Sequence, residues 1–96
     1  MKYRASTLPY AQNDIFEAAK WYNQHQKNLG RTFTKDVRNK IANIKQNNFA
    51  YKIALGRVRA TALKIFSYMV HYTIEPSNTI LIVAVLHTSP DLEIWK

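Results

Sequence analysis

The chain has 96 residues, 47% of them hydrophobic, and a formal net charge of +8. That length holds one domain, residues 1–96, with enough apolar content for a single core; two glycines and three prolines argue against long disorder. There is no cysteine, which excludes a disulfide framework and a thiolate zinc site.

Met1-Lys2-Tyr3-Arg4-Ala5-Ser6 carries early positive charge with no apolar stretch after it, so no signal peptide is expected. The longest apolar run, Ile80 to Leu86, is far below the roughly 20 residues that span a bilayer. A soluble, cytoplasmic protein without membrane contact is the expectation. The charge is unevenly placed. Lys27, Arg31, Lys35, Arg38, Lys40, Lys45, Lys52, Arg57, Arg59 and Lys64 follow one another with Asp36 as the one acid among them. A single-sign field of this length attracts polyanions or an acidic protein.

A short strand is predicted over Lys2 to Ser6. Thr7-Leu8-Pro9 reads as a helix start, with Thr7 able to cap and proline tolerated in the first turn. The first helix is predicted from Pro9 to Asn28, with Ala11, Ile15, Ala18, Tyr22 and Leu29 on one face. Asp14 and Glu17 fall early in it, where the dipole favours negative charge. Gly30 reads as the helix stop. A second helix follows from Arg31 to Asn47, with Phe33, Val37, Ile41 and Ile44 as its apolar stripe.

Phe49 to Gly56 is read as loop. Val58, Ala60 and Ala62 then alternate with Arg57, Arg59 and Thr61, a strand with one small apolar face and one basic face. Phe66-Ser67 turns the chain into a strand over Tyr68 to Glu75, rich in aromatic and β-branched residues. Pro76-Ser77-Asn78 is a turn cluster, and Ile80 to Leu86 suits a central strand buried on both faces. The expected fold is α+β, in the order β-α-α-β-β-β. It has an antiparallel sheet with an N-terminal helical hairpin packed on one face and the first strand at the edge or beside the last.

Several strings resemble those of the RelE/ParE toxins of type II toxin–antitoxin modules, which share this element order and length. They are Asp14-Ile15-Phe16-Glu17-Ala18-Ala19-Lys20-Trp21-Tyr22 in the first helix and Leu29-Gly30-Arg31-Thr32-Phe33 at the hairpin turn. Phe66-Ser67-Tyr68-Met69-Val70-His71-Tyr72 and Ile82-Val83-Ala84-Val85-Leu86-His87 match the family's last strands. The resemblance implies neutralisation by a cognate acidic antitoxin with an initially disordered tail. It also implies contact with DNA only through the antitoxin complex, and a role in plasmid stabilisation and growth inhibition.

The resemblance offers two mechanisms. RelE-type members cut messenger RNA on the ribosome and need a proton-transfer group with phosphate-neutralising cations. ParE-type members bind DNA gyrase and need no catalytic set. Where RelE-like nucleases carry an arginine after the tyrosine of the third strand, this chain has Met69; where many carry one after the last strand's histidine, it has Thr88. No C-terminal tyrosine is present, and the indole of Trp95 is a poor proton donor. These departures favour the ParE-like branch. If the chain were an endoribonuclease, His87 with Arg57, Arg59 and Lys64 would form its set, since histidine titrates near neutrality. Candidate target- or antitoxin-binding residues are Arg38, Arg57, Arg59, His71 and Trp95. Pro90 and Leu92 depart from the ParE-like tail pattern, where arginine and proline are usual, so a non-toxic degenerate component is a third reading. No cofactor is expected. His25, His71 and His87 are too scattered for a metal site.

Overall fold

The computed structural model describes residues 2–88. In chain order the elements are β1 (Arg4–Thr7), α1 (Pro9–His25), α2 (Leu29–Gln46), β2 (Ile53–Leu55), β3 (Val58–Ala62), β4 (Tyr68–Glu75) and β5 (Thr79–His87). The strands form one sheet in the order β1-β5-β4-β3-β2. From β2 to β5 it is an antiparallel meander, while β1 joins β5 in parallel, with Arg4 opposite Thr79 and Thr7 opposite Ile82. The α+β class and the order expected from sequence stand, with two additions: the parallel edge pair and the short strand β2.

Strand β2 lies within the stretch read as loop. Ile53-Ala54-Leu55 is too short to show a period. It becomes a strand because Gly56, at φ +55°, reverses the chain and pairs Ile53 with Arg59 and Leu55 with Val58.

The helical hairpin differs from the prediction at its turn. Helix α1 ends at His25, and the left-handed residue is Asn28, at φ 67°. Gly30 is not the stop; it is buried in the first turn of α2, where the two helices approach most closely. A Cβ there would collide with the Ala19 carbonyl oxygen and lie 2.8 Å from the Asn23 side chain. Asn23 Oδ1 accepts a 2.8 Å hydrogen bond from the Gly30 backbone N–H. Glycine is required here for proximity, not for a positive φ.

Thr7 does not cap α1. It belongs to β1, and Leu8 occupies the cap position without a side-chain bond. Asp14 lies beyond the first turn and has a different task. Strand β1 stops at Thr7, so the edge of β5 beyond Ile82 lacks a partner strand, and Asp14 Oδ2 accepts a 3.0 Å hydrogen bond from Val85 N–H.

The core lies between the hairpin and one sheet face. Ala11 and Ala18 of α1 and Phe33, Val37 and Ile44 of α2 meet Val70, Tyr72, Ile80, Ile82 and Val85 of the sheet. Tyr22, Phe33, Phe66 and Tyr68 form an aromatic cluster at one end, with ring centroids 4.8–6.2 Å apart. Tyr72 donates a 2.6 Å hydrogen bond to the Asn48 carbonyl, tying the chain after α2 to β4. Strand β5 is buried on one face and half-buried on the other over most of its length, with Leu86 and His87 exposed, so the expected burial on both faces holds only in part.

Gly30→Ala tests the helix contact. In an open helix this change stabilises by roughly 0.5–1 kcal/mol. Here it should cost about 1–3 kcal/mol, because the helices must separate to admit the methyl group. Urea denaturation of the two proteins measures the difference.

Candidate interaction surface

The basic stretch resolves into a surface once its single acid is followed inward. Asp36 on α2 is 3% exposed. Its Oδ2 accepts hydrogen bonds from the backbone N–H groups of Ile65, at 2.9 Å, and Phe66, at 3.1 Å. The carboxylate therefore holds the β3–β4 turn against α2, and its charge is spent inside the molecule. Between the helix and that turn runs a groove of about 530 Å³, with the nearly buried Asp36 in its lining beside Thr32, Lys35, Asn39, Lys40, Asn43, Lys64 and Ile65. Lys35, Lys40 and Lys64 surround it with positive charge, and Ile65, 65% exposed, stands at its edge. Lys40 also lies over the Tyr51 ring at 5.6 Å, and the Tyr51 hydroxyl hydrogen-bonds to Asn43.

At the far rim, β2 is a sheet edge with Ile53 and Leu55 exposed, Leu55 at 79%, and Phe49 nearby. Edge strands are usually blunted by charge; here the cations flank the strand, at Lys52 and Arg57, and its three residues carry none.

The two faces of strand β3 alternate as the sequence implies, and the pairing shows which one meets the helices. Arg59 pairs with Tyr72 and Thr61 with Val70, both core-facing residues, so Arg59 and Thr61 lie on the helix side of the sheet. Arg59 donates a 2.7 Å hydrogen bond to the Tyr51 carbonyl and lies over the Phe49 ring. Ala60, opposite His71, and Ala62, opposite Met69, lie on the uncovered face.

The residues proposed for nucleolysis are not gathered. His87 is opposite Tyr68 and Arg59 opposite Tyr72, four residues along and two strands across, which is roughly 16 Å between backbones. Arg57 is on the β2–β3 hairpin, bonded at 3.1 Å to Glu75, and Lys64 lines the α2 groove. His87 sits instead in a second groove, between α1 and the end of β5, packed edge-on to Tyr68 at 5.0 Å. Of the binding candidates, Arg38 is exposed on α2, and His71 is half-buried with Nδ1 lacking a hydrogen-bond partner among the described residues. Trp95 lies outside the described residues, as do Pro90 and Leu92. The sequence reading missed Asn39, Asn43 and Ile65. Only the isolation of Asp36 among cations hinted that the acid was internal and the turn near α2.

Burial raises Tyr22 and Tyr68 above the usual phenol value, and the Tyr22 phenol pushes Tyr68 further. Burial also raises Tyr72, against the opposing pull of Arg59. Glu75 is held below the usual carboxyl range, first by the Thr73 hydroxyl and then by Arg57. Among the described residues no helix is long and apolar enough to cross a membrane, and no three His, Cys, Asp or Glu side chains are grouped to hold a metal ion.

The sequence profile described as the ParE toxin of the type II toxin-antitoxin system, parDE, matches residues 7–92. No curated protein sequence matches significantly. Among solved structures, a chain of the chromosomal ParDE TA system from P. aeruginosa has the same fold. It is 12% identical, with a TM-score of 0.80, covering 92% of this chain and 98% of that one.

Two measurements test the clamp and the aromatic cluster. Asp36→Ala leaves two backbone N–H groups unsatisfied and should cost about 2–3 kcal/mol in urea denaturation, with Asp36→Asn costing less. The raised tyrosines contribute stability that is complete below the ordinary phenol value of 10.0 and lost as pH climbs through the folded-state values. The urea midpoint should therefore hold up to about pH 10 and fall as pH rises beyond it, and Tyr68→Phe should reduce that fall.

Proposed function

Because the chain belongs to the ParE toxin family of type II toxin–antitoxin systems, we propose that it arrests growth by binding DNA gyrase and is neutralised by a cognate acidic antitoxin. The observation that carries this reading is the basic groove beside α2. Its one acid is turned inward onto the Ile65 and Phe66 N–H groups, leaving three lysines around an exposed isoleucine. An acidic chain that is disordered alone gains opposite charge along the groove and an apolar contact at Ile65 as it orders. Contact with DNA then runs through the antitoxin complex, and the setting is the cytoplasm.

The gyrase reading is supported by the dispersal of the alternative catalytic set. General acid–base cleavage of RNA needs proton-transfer and phosphate-binding groups around one phosphate, within hydrogen-bond reach. His87 is roughly 16 Å from Arg59 along the backbone lattice, and Met69 stands where a phosphate-binding arginine belongs in the nucleases. In this reading the residues act by complementary contact.

Purified protein is expected to inhibit gyrase supercoiling and to leave ribosome-bound message uncut. Ribosome-dependent cleavage that disappears in His87→Ala would overturn the gyrase reading. Replacing Lys35, Lys40 and Lys64 by glutamate should weaken antitoxin binding by about 10²-fold or more at low salt and flatten its salt dependence.

A further inference from the structure

The groove between α1 and the end of β5 has the opposite character from the lysine groove. Four of the chain's acids, Asp14, Glu17, Asp36 and Glu75, lie among the described residues. Asp14 is bonded to Val85 N–H, Asp36 to the β3–β4 turn, and Glu75 to Thr73 and Arg57. Of these four acids Glu17 alone has no side-chain hydrogen bond or ion pair among the described residues, and it lines this groove. One helical turn on, at the i+4 position that shares its face, is Trp21, 52% exposed. Tyr22 and Tyr68 continue the aromatic wall, and Leu86, half-exposed, closes the other side of a space of about 560 Å³.

The Trp21 indole is set in place rather than loose. His25 stacks on it at 3.8 Å and 29° between planes, and the His25 Nδ1–H donates to the Trp21 carbonyl at 2.8 Å. Tyr22 meets it edge-on at 5.1 Å. An ordered indole beside an uncompensated carboxylate, in a groove with a second carboxylate at Asp14, is a recess for a cation on a molecule otherwise strongly positive. A planar guanidinium fits better than an ammonium. It is more weakly hydrated, stacks on an aromatic face and can present two N–H groups to one carboxylate.

We propose that this groove receives an arginine side chain of a partner protein, its guanidinium between Trp21 and Glu17 and its aliphatic stem against Leu86. The site is distinct from the acidic-partner surface and goes beyond it, because an acidic segment would be repelled by Glu17. A partner that spans both grooves carries acids toward α2 and an arginine toward the end of β5. That polarity fixes which way it lies.

The test uses the full chain and capped tripeptides, so it needs neither antitoxin nor gyrase and can fail independently of the proposed function. Acetyl-Leu-Arg-Leu-amide, titrated into ¹⁵N-labelled protein, is expected to shift the amides of residues 17–22 and 85–87 saturably. The lysine analogue should bind several-fold more weakly and the glutamate analogue not at all. Glu17→Gln, a surface change, and Trp21→Leu should each weaken arginine binding by about tenfold. Unchanged spectra, binding that survives Glu17→Gln, equal affinity for the lysine peptide, or preference for the glutamate peptide would each overturn the proposal. Retained amide dispersion in both variants separates lost binding from lost folding.

Discussion

A carboxylate inside a basic protein organises much of this molecule. Asp36 is nearly inaccessible, and it is bonded to two backbone N–H groups of the turn that carries Lys64 and Ile65. The turn is closed at its base by the Leu63 N–H bond to the Tyr68 carbonyl, at 2.9 Å, and Phe66 packs on Phe33 and Tyr22, but the hydrogen bonds to Asp36 are what tie its backbone to α2. Hydrogen bonds to an ionised group are worth about 1.5–3 kcal/mol net, more than neutral ones, and here they link elements 29 and 30 residues apart. The same contact sets the electrostatics. With the one acid of the stretch nearly buried, the charged side chains that line the groove and reach solvent are the lysines Lys35, Lys40 and Lys64.

Asp14 repeats the device on the other helix. Its carboxylate receives Val85 N–H where β1 has ended and β5 has lost its neighbour. Each helix is thus fastened by an aspartate that accepts from backbone, α1 to strand β5 and α2 to the β3–β4 turn, and the apolar stripes fill the space between. The outcome is two grooves of opposite sign on either side of the aromatic cluster. Tyr22 and Tyr68 belong to that cluster and also line the groove at α1, so the core and that groove share residues. Shape and charge are coupled for this reason: a change that loosens the hairpin also disturbs the wall that Trp21 and Tyr22 present.

The elements with strong periods were legible in the sequence. The stripe Phe33, Val37, Ile41, Ile44 faces the core as its spacing implies, and β4 and the β3–β4 turn fall where the aromatic and β-branched residues indicate. What escaped depended on partners distant in sequence. Gly30 looks like a stop from composition, and only the nearness of Ala19 and Asn23 shows that it is a contact residue. The alternation in β3 was visible, but which face meets the helices was not. The arginine face points to the helix side, where Arg59 finds the Tyr51 carbonyl that no local pattern announces. Strand β2 is a strand only because β3 is beside it. The candidate site shows the same division. The lysines were apparent as a run, whereas their arrangement around Ile65 required the inward turn of Asp36.

The parallel pairing of β1 with β5 has a consequence for how the chain acquires its shape. Residues 4–7 wait for residues 79–82 before they have a strand to join. The hairpin α1–α2 likewise precedes β4 and β5, which supply most of the surface that buries its stripes. During vectorial synthesis the helices emerge first, with apolar faces that have nothing to cover them, and the last strand closes both the core and the sheet edge in one step. High contact order at the two ends of the fold makes both grooves late products. The groove at α1 needs Leu86 from β5, and the groove at α2 needs the turn that β4 anchors. An unfinished chain therefore has its positive charge but neither recess.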